Sequence, residues 1–194
     1  MSSIAIMMIV PDSKDWTWVL ERSCPECGFD TNSFDVTKTP AMIRAIAAAW
    51  LDALAMGGTS GDVTGRPAPD KWSPLEYTCH VRDVFRLYDY RLELMLTQDD
   101  PLFPNWDQDE TAIAGRYGEQ NPGVAAGELR AAAEALASRF STVRGDQWRR
   151  RGRRSDGAQF TVETFARYFI HDPIHHLYDV TGDQYGDVIV NWPS

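Results

Sequence analysis

The chain has 194 residues, the size of one domain, with 43% hydrophobic and 24% charged residues, the balance of a soluble protein with a single core. A formal net charge of −9 speaks against a general nucleic-acid binder and against an anionic membrane surface as partner. Arg outnumbers Lys by 16 to 3, which reports GC-rich coding rather than fold.

The apolar start, Met1 to Val10, has no basic flank and no small-residue cleavage site, and it is too short to span a bilayer. It is expected to be a short buried strand or a loosely packed arm. No other run approaches transmembrane length, so a cytoplasmic protein is expected. Residues 11–38 read as an irregular covering segment with a short helix around Asp15 to Arg22. That segment holds Cys24-Pro25-Glu26-Cys27-Gly28, which is half of a zinc knuckle or a redox pair. No second CxxC or CxxH follows, and Cys79 falls inside a helix. The expectation is therefore a tight turn with two semi-buried thiols, with reversible disulfide formation as the alternative.

The first long helix is expected from Thr39 as N-cap, with Pro40 at its first position, to Met56, ended by Gly57-Gly58. Residues 57–72 are loop. The second helix opens at Ser73-Pro74-Leu75-Glu76, a capping box with Pro at its first position, and runs to about Leu96. A long connection, residues 97–121, carries one short helix from Trp106 to Arg116. The third long helix starts at Asn121-Pro122 and runs to about Val143. Residues 144–159 read as a loop rich in arginine, with Arg149, Arg150, Arg151, Arg153 and Arg154. The fourth long helix covers about Thr161 to Thr181, and a tail with strand-like Val188-Ile189-Val190 closes the chain. The class is all-α: one domain over 1–194, a four-helix bundle over about 39–182, an N-terminal covering segment over 1–38 and a tail over 183–194.

Chemistry gathers in His171-Asp172-Pro173-Ile174-His175-His176, which holds three of the four histidines. His171 and His175 stand four apart, so on a helix both imidazoles share one face. His80 lies on the inward face of the second helix and is the natural third ligand. Three imidazoles leave an open position for water or substrate, the mark of a catalytic metal site. They suit Zn, Ni, Cu or Fe(II); Zn and Ni lead, with Fe as a further option. The bland alternative is three histidines serving only the core. Pro173 between the pair is expected to bend the helix and free the carbonyl of Phe169. His176, about 100° round the helix from His175, is set aside as a flanking group and is the first substitute should one of the three fail. Asp83, Asp172 and Asp179 are the carboxylates nearest in sequence to orient the imidazoles. Asp107 and Asp109 are further candidates at the open face.

The capped segment Trp72-Ser73-Pro74-Leu75-Glu76 followed by His80, and the later His171-Asp172-Pro173-Ile174-His175-His176, resemble the DinB-like superfamily over roughly residues 39–182. That superfamily includes thiol-dependent S-transferases and the N-terminal domain of mycothiol-dependent maleylpyruvate isomerase. The segments Asn105-Trp106-Asp107-Gln108-Asp109-Glu110-Thr111-Ala112 and Arg153-Arg154-Ser155-Asp156-Gly157 are similar to actinobacterial members. So is Cys24-Pro25-Glu26-Cys27-Gly28-Phe29-Asp30. The resemblance implies a four-helix bundle with a divalent metal on His80, His171 and His175. It also implies a low-molecular-weight thiol (mycothiol, bacillithiol or glutathione) near the metal.

The leading expectation is thus a metal-dependent thiol S-transferase whose partners are a small thiol and an electrophile, with no nucleic acid or membrane. A non-catalytic metal-binding stress-response bundle, as a homodimer, and a metal-assisted hydrolase are the alternatives. The arginine run reads first as a solvated loop and second as a clamp for an anionic substrate or thiol.

Overall fold

A computed structural model describes residues 16–68 and 71–184. The expected N-terminal arm and the strand-like Val188-Ile189-Val190 lie outside these residues. Four long helices form the bundle: α1 (Thr39–Met56), α2 (Pro74–Thr97), α4 (Pro122–Phe140) and α5 (Val162–Thr181), with the short α3 (Gln108–Ala114) in the long connection. Both α1 and α2 pack against α4 and α5. Their inward faces supply Ile43, Ile46 and Trp50 from α1, Leu75, Phe85 and Leu92 from α2, Leu129, Leu136 and Phe140 from α4, and Phe165, Phe169 and Ile174 from α5, all buried. The segment Val36–Met56 is apolar and long enough to cross a membrane, contrary to expectation, but its apolar stripe is used on this core.

Local capping chemistry sets the helix ends. Ser73 Oγ accepts from the Glu76 backbone N–H, and the Glu76 carboxylate accepts from the Ser73 N–H at 2.8 Å, the reciprocal box that the sequence spells out. Asn121 caps α4 through the Val124 N–H. Gly57 and Gly182 take left-handed conformations after α1 and α5, at φ 72° and 77°, where a Cβ would be penalised. Thr39 differs from expectation. A 3-10 turn, Val36–Lys38, leads straight into α1, so Thr39 is already helical and its hydroxyl donates to the Val36 carbonyl. The helix expected around residues 15–22 is likewise a 3-10 turn, Trp16–Leu20.

The arginine-rich stretch is not a loop. Strand β2 (Arg151–Arg154) pairs antiparallel with β3 (Gln159–Thr161) and parallel with β1 (Leu102–Phe103). This small sheet ties the long connection to the entry of α5. Alternation along β2 turns Gly152 inward and exposes Arg151 and Arg153, as strand geometry requires. A Cβ on Gly152 would stand 2.7 Å from Met95 Cγ and 3.0 Å from Phe103 Cε1, so only glycine fits against α2. The same alternation turns Arg154 partly inward.

α5 continues unbroken across Pro173. Pro173 offers no N–H to the turn before it, while its carbonyl accepts from the Trp50 indole at 3.0 Å. That contact locks the middle of α5 to α1, next to its histidines.

Candidate metal centre

α5 carries two i, i+4 pairs one residue out of phase: His171 with His175, and Asp172 with His176. A shift of one residue turns a side chain about 100° round a helix, so the two pairs serve different neighbours.

His80 meets the second pair. Ligand atoms of His80, Asp172 and His176 all lie within 4.8 Å of one another. His80 Nε2 is 3.6 Å from Asp172 Oδ1, too far for a hydrogen bond. Both nitrogens of His80, fully buried, and Oδ1 of Asp172 lack a hydrogen-bond partner among the described residues. Leaving such atoms unsatisfied is costly, and a cation between them would satisfy the facing nitrogen and the oxygen together. The residues fit a metal ion.

The surroundings hold these groups in place. Trp106 stacks on the His80 ring at 5.5 Å and 18°, and Trp72 meets its face edge-on at 5.2 Å. His176 Nδ1 lies 3.0 Å from Asp179 Oδ2, which leaves its Nε2 towards Asp172 at 3.8 Å. A carboxylate behind an imidazole is the common way to fix the tautomer of a metal-binding histidine. Burial lowers the pKa of His80, with the nearby Asp172 opposing it. Burial works against the Asp172 carboxylate, but His80 and His176 outweigh it and hold it down to about 2. Burial thus favours the neutral imidazole at His80 beside an ionised Asp172 carboxylate, the forms that bind a cation.

The first pair faces the N-terminal segment. His171, His175, Cys24 and Cys27 place one ligand atom each within 4.8 Å of all the others, and all four residues are buried. The predicted trio is therefore divided. His171 and His175 sit with the two cysteines, and His80 sits with Asp172 and His176, the substitute named from sequence. Asp83 does not join either group: it pairs with Arg82 at 2.9 Å and accepts from the Tyr117 hydroxyl at 2.6 Å. The two thiols, expected to be semi-buried, are 2% and 0% exposed.

Both pairs border a cavity of about 730 Å³, which Arg91, Asp107, Asp109, Arg154 and Tyr168 also line. Asp107 is occupied as the cap of α3, accepting from the Asp109 and Glu110 N–H groups. Of the arginine run, Arg154 alone lines the cavity, ion-paired to Asp156 at 2.8 Å. The others do not line the cavity. Arg149 is 84% exposed as a side chain, Arg153 pairs with Asp100, and Arg150 donates to the Met95 and Gln98 carbonyls. Sequence reasoning passed over Arg91. It is 3% exposed, donates to the Pro104 carbonyl, and has its Nε unsatisfied. No described carboxylate comes within ion-pair reach of it.

Among curated proteins none matches this chain at a significant level. Among solved structures, YfiT from Bacillus subtilis is similar, with a TM-score of 0.68 at 16% identity, over 75% of this chain and 83% of that one. YfiT is described as a probable metal-dependent hydrolase with an unusual four-helix bundle topology; the likeness shows the shared fold. The family model of the DinB superfamily matches residues 40–180, from the second residue of α1 to the last turn of α5. The chain belongs to the DinB superfamily.

Proposed function

We propose that this chain is a divalent-metal-dependent enzyme of the thiol S-transferase type, acting on a small electrophile that carries an acidic group. The observation that supports it best is the convergence of His80, Asp172 and His176, with both His80 nitrogens and Asp172 Oδ1 unsatisfied among the described residues, beside a cavity of about 730 Å³ that Asp172 and His176 line. Two imidazoles and a carboxylate suit Zn, Ni or Fe(II), and three protein ligands leave a position open. A cation held there supplies a lowered pKa to a coordinated thiol or water. Mycothiol or another low-molecular-weight thiol is the proposed nucleophile.

The chain's own residues orient and bind. Asp179 fixes His176, and Trp106 with Trp72 fixes His80. Arg91, a buried cation without a carboxylate partner among the described residues, is suited to an incoming carboxylate, since the guanidinium fork matches that group. The test is an assay of the purified, metal-loaded protein with cellular thiols and carboxylate-bearing electrophiles. Thiol-dependent turnover that disappears in His80→Ala supports the reading. No turnover with any thiol overturns it.

A second reading, metal-assisted hydrolysis, draws on the description of YfiT. It uses the same ligands with water in the open position. Turnover that proceeds unchanged without thiol would select it.

A further inference from the structure

We propose that Cys24, Cys27, His171 and His175 bind a zinc ion in a closed, four-ligand site that fastens the N-terminal segment to α5. The proposal stands on its own residues and is independent of the function assigned to His80, Asp172 and His176.

The sequence holds half of a zinc site, Cys-x-x-Cys, and a His-x-x-x-His spacing that lies far away along the chain. The fold brings the halves together. Two thiols and two imidazoles from one turn and one helix are the ligand set of structural zinc, with His-x3-5-His as the usual spacing on a helix.

The details agree with that chemistry. Cys24 Sγ and His175 Nδ1 are 3.6 Å apart. Zn–S and Zn–N bonds of about 2.3 and 2.0–2.1 Å at a tetrahedral angle give an S–N edge of about 3.6 Å. The other nitrogen of His175, Nε2, faces Glu26 Oε2 at 3.4 Å, placing an orienting carboxylate behind the ligand. His171 is 3% exposed and its Nε2 is unsatisfied among the described residues. The cysteine turn is held by its own backbone: the Gly28 N–H donates to the Cys24 carbonyl and the Cys24 N–H to the Phe29 carbonyl, each at 2.9 Å. Gly28 turns left-handed there, at φ 77°.

Charge decides that a dication belongs in so buried a place. Two thiolates cancel the charge of Zn²⁺, and two neutral imidazoles add none, so the unit is neutral and its burial is cheap. Zinc entry releases the two thiol protons to water and changes no oxidation state. The third cysteine does not compete, since Cys79 is hydrogen-bonded to Gln120 Oε1 at 3.3 Å.

The distinguishing probe is Co²⁺ exchanged into the full-length protein in thiol-free buffer. Only the cysteine site can give a thiolate-to-cobalt charge-transfer band, because His80, Asp172 and His176 offer no sulfur. The expected result is that band with tetrahedral visible absorption, retained in His80→Ala and lost in Cys24→Ser. Wild-type zinc content should exceed that of the Cys24→Ser, Cys27→Ser double variant by one ion per chain. Should the variants fail to fold, the wild type decides alone: its two buried thiols, shielded from a disulfide reagent, should become reactive in step with zinc removal by a chelator. Absence of the charge-transfer band overturns the proposal. So does a Cys24–Cys27 disulfide in protein prepared with zinc under reducing conditions.

Discussion

Two faces of one helix turn set out two kinds of metal chemistry. Towards the N-terminal segment, His171 and His175 meet two cysteines, so that four ligand atoms lie within 4.8 Å of one another. Towards α2, Asp172 and His176 meet a single histidine, and the remaining space belongs to a cavity of about 730 Å³. The first arrangement is soft and closed, suited to holding structure. The second is harder and open, suited to binding a reactant. What separates them is one residue of phase along α5.

The largest expected effect comes from breaking the closed face. Cys24→Ser with Cys27→Ser should cost about 4 kcal/mol or more, as loss of a structural metal does. Chemical denaturation with tryptophan fluorescence reads it directly, because the Trp16 ring packs against the His175 ring, centroids 4.8 Å apart. Breaking the open face should instead spare stability relative to the metal-free protein and remove activity: His80→Ala is expected to lower turnover more than about 100-fold, while the cysteine-bound zinc stays. Loss of both metals when either face alone is changed would show that the faces are not separate.

A finer distinction uses Asp179, which lies 3.0 Å from His176 Nδ1 and acts on His175 through its charge. Asp179→Asn should weaken metal binding at the open face by about 10–100-fold and at the closed site by less, as competitive chelator titration of each site would reveal. The smallest effect is a control on α2 itself. Burial disfavours the Glu76 carboxylate, but the hydrogen bonds from Arg66 and Ser73 outweigh it and keep its pKa below the ordinary 4.5. Its contribution is therefore present above pH 4.5 and is lost as pH falls through the lowered value. Glu76→Gln should cost about 1–2 kcal/mol at neutral pH, with a flatter acid limb in stability against pH, and change neither metal site.

Much of this molecule was legible because its signals are local. The Ser73–Glu76 box, the Asn121 cap, Gly57 and Gly182 each act within one turn, so helix ends could be read from the sequence alone. The Arg151–Arg154 strand could not. Its partner strand β1 lies some fifty residues earlier, and the reason for Gly152 is a contact with Met95 that no nearby residue announces. The site divides in the same way. Spacing alone showed that His171 pairs with His175. Which neighbour that face meets depends on where the Cys24–Cys27 turn packs, a contact across 151 residues of chain. The trio of His80, His171 and His175 joined residues that the fold divides between two clusters.

The separation of the two faces is tested most directly by a crystal structure of the metal-replete protein with anomalous data at the zinc edge. Two peaks are predicted, one among Cys24, Cys27, His171 and His175, and one among His80, Asp172 and His176. A single ion shared by His80, His171 and His175, with the cysteines standing apart, would contradict it.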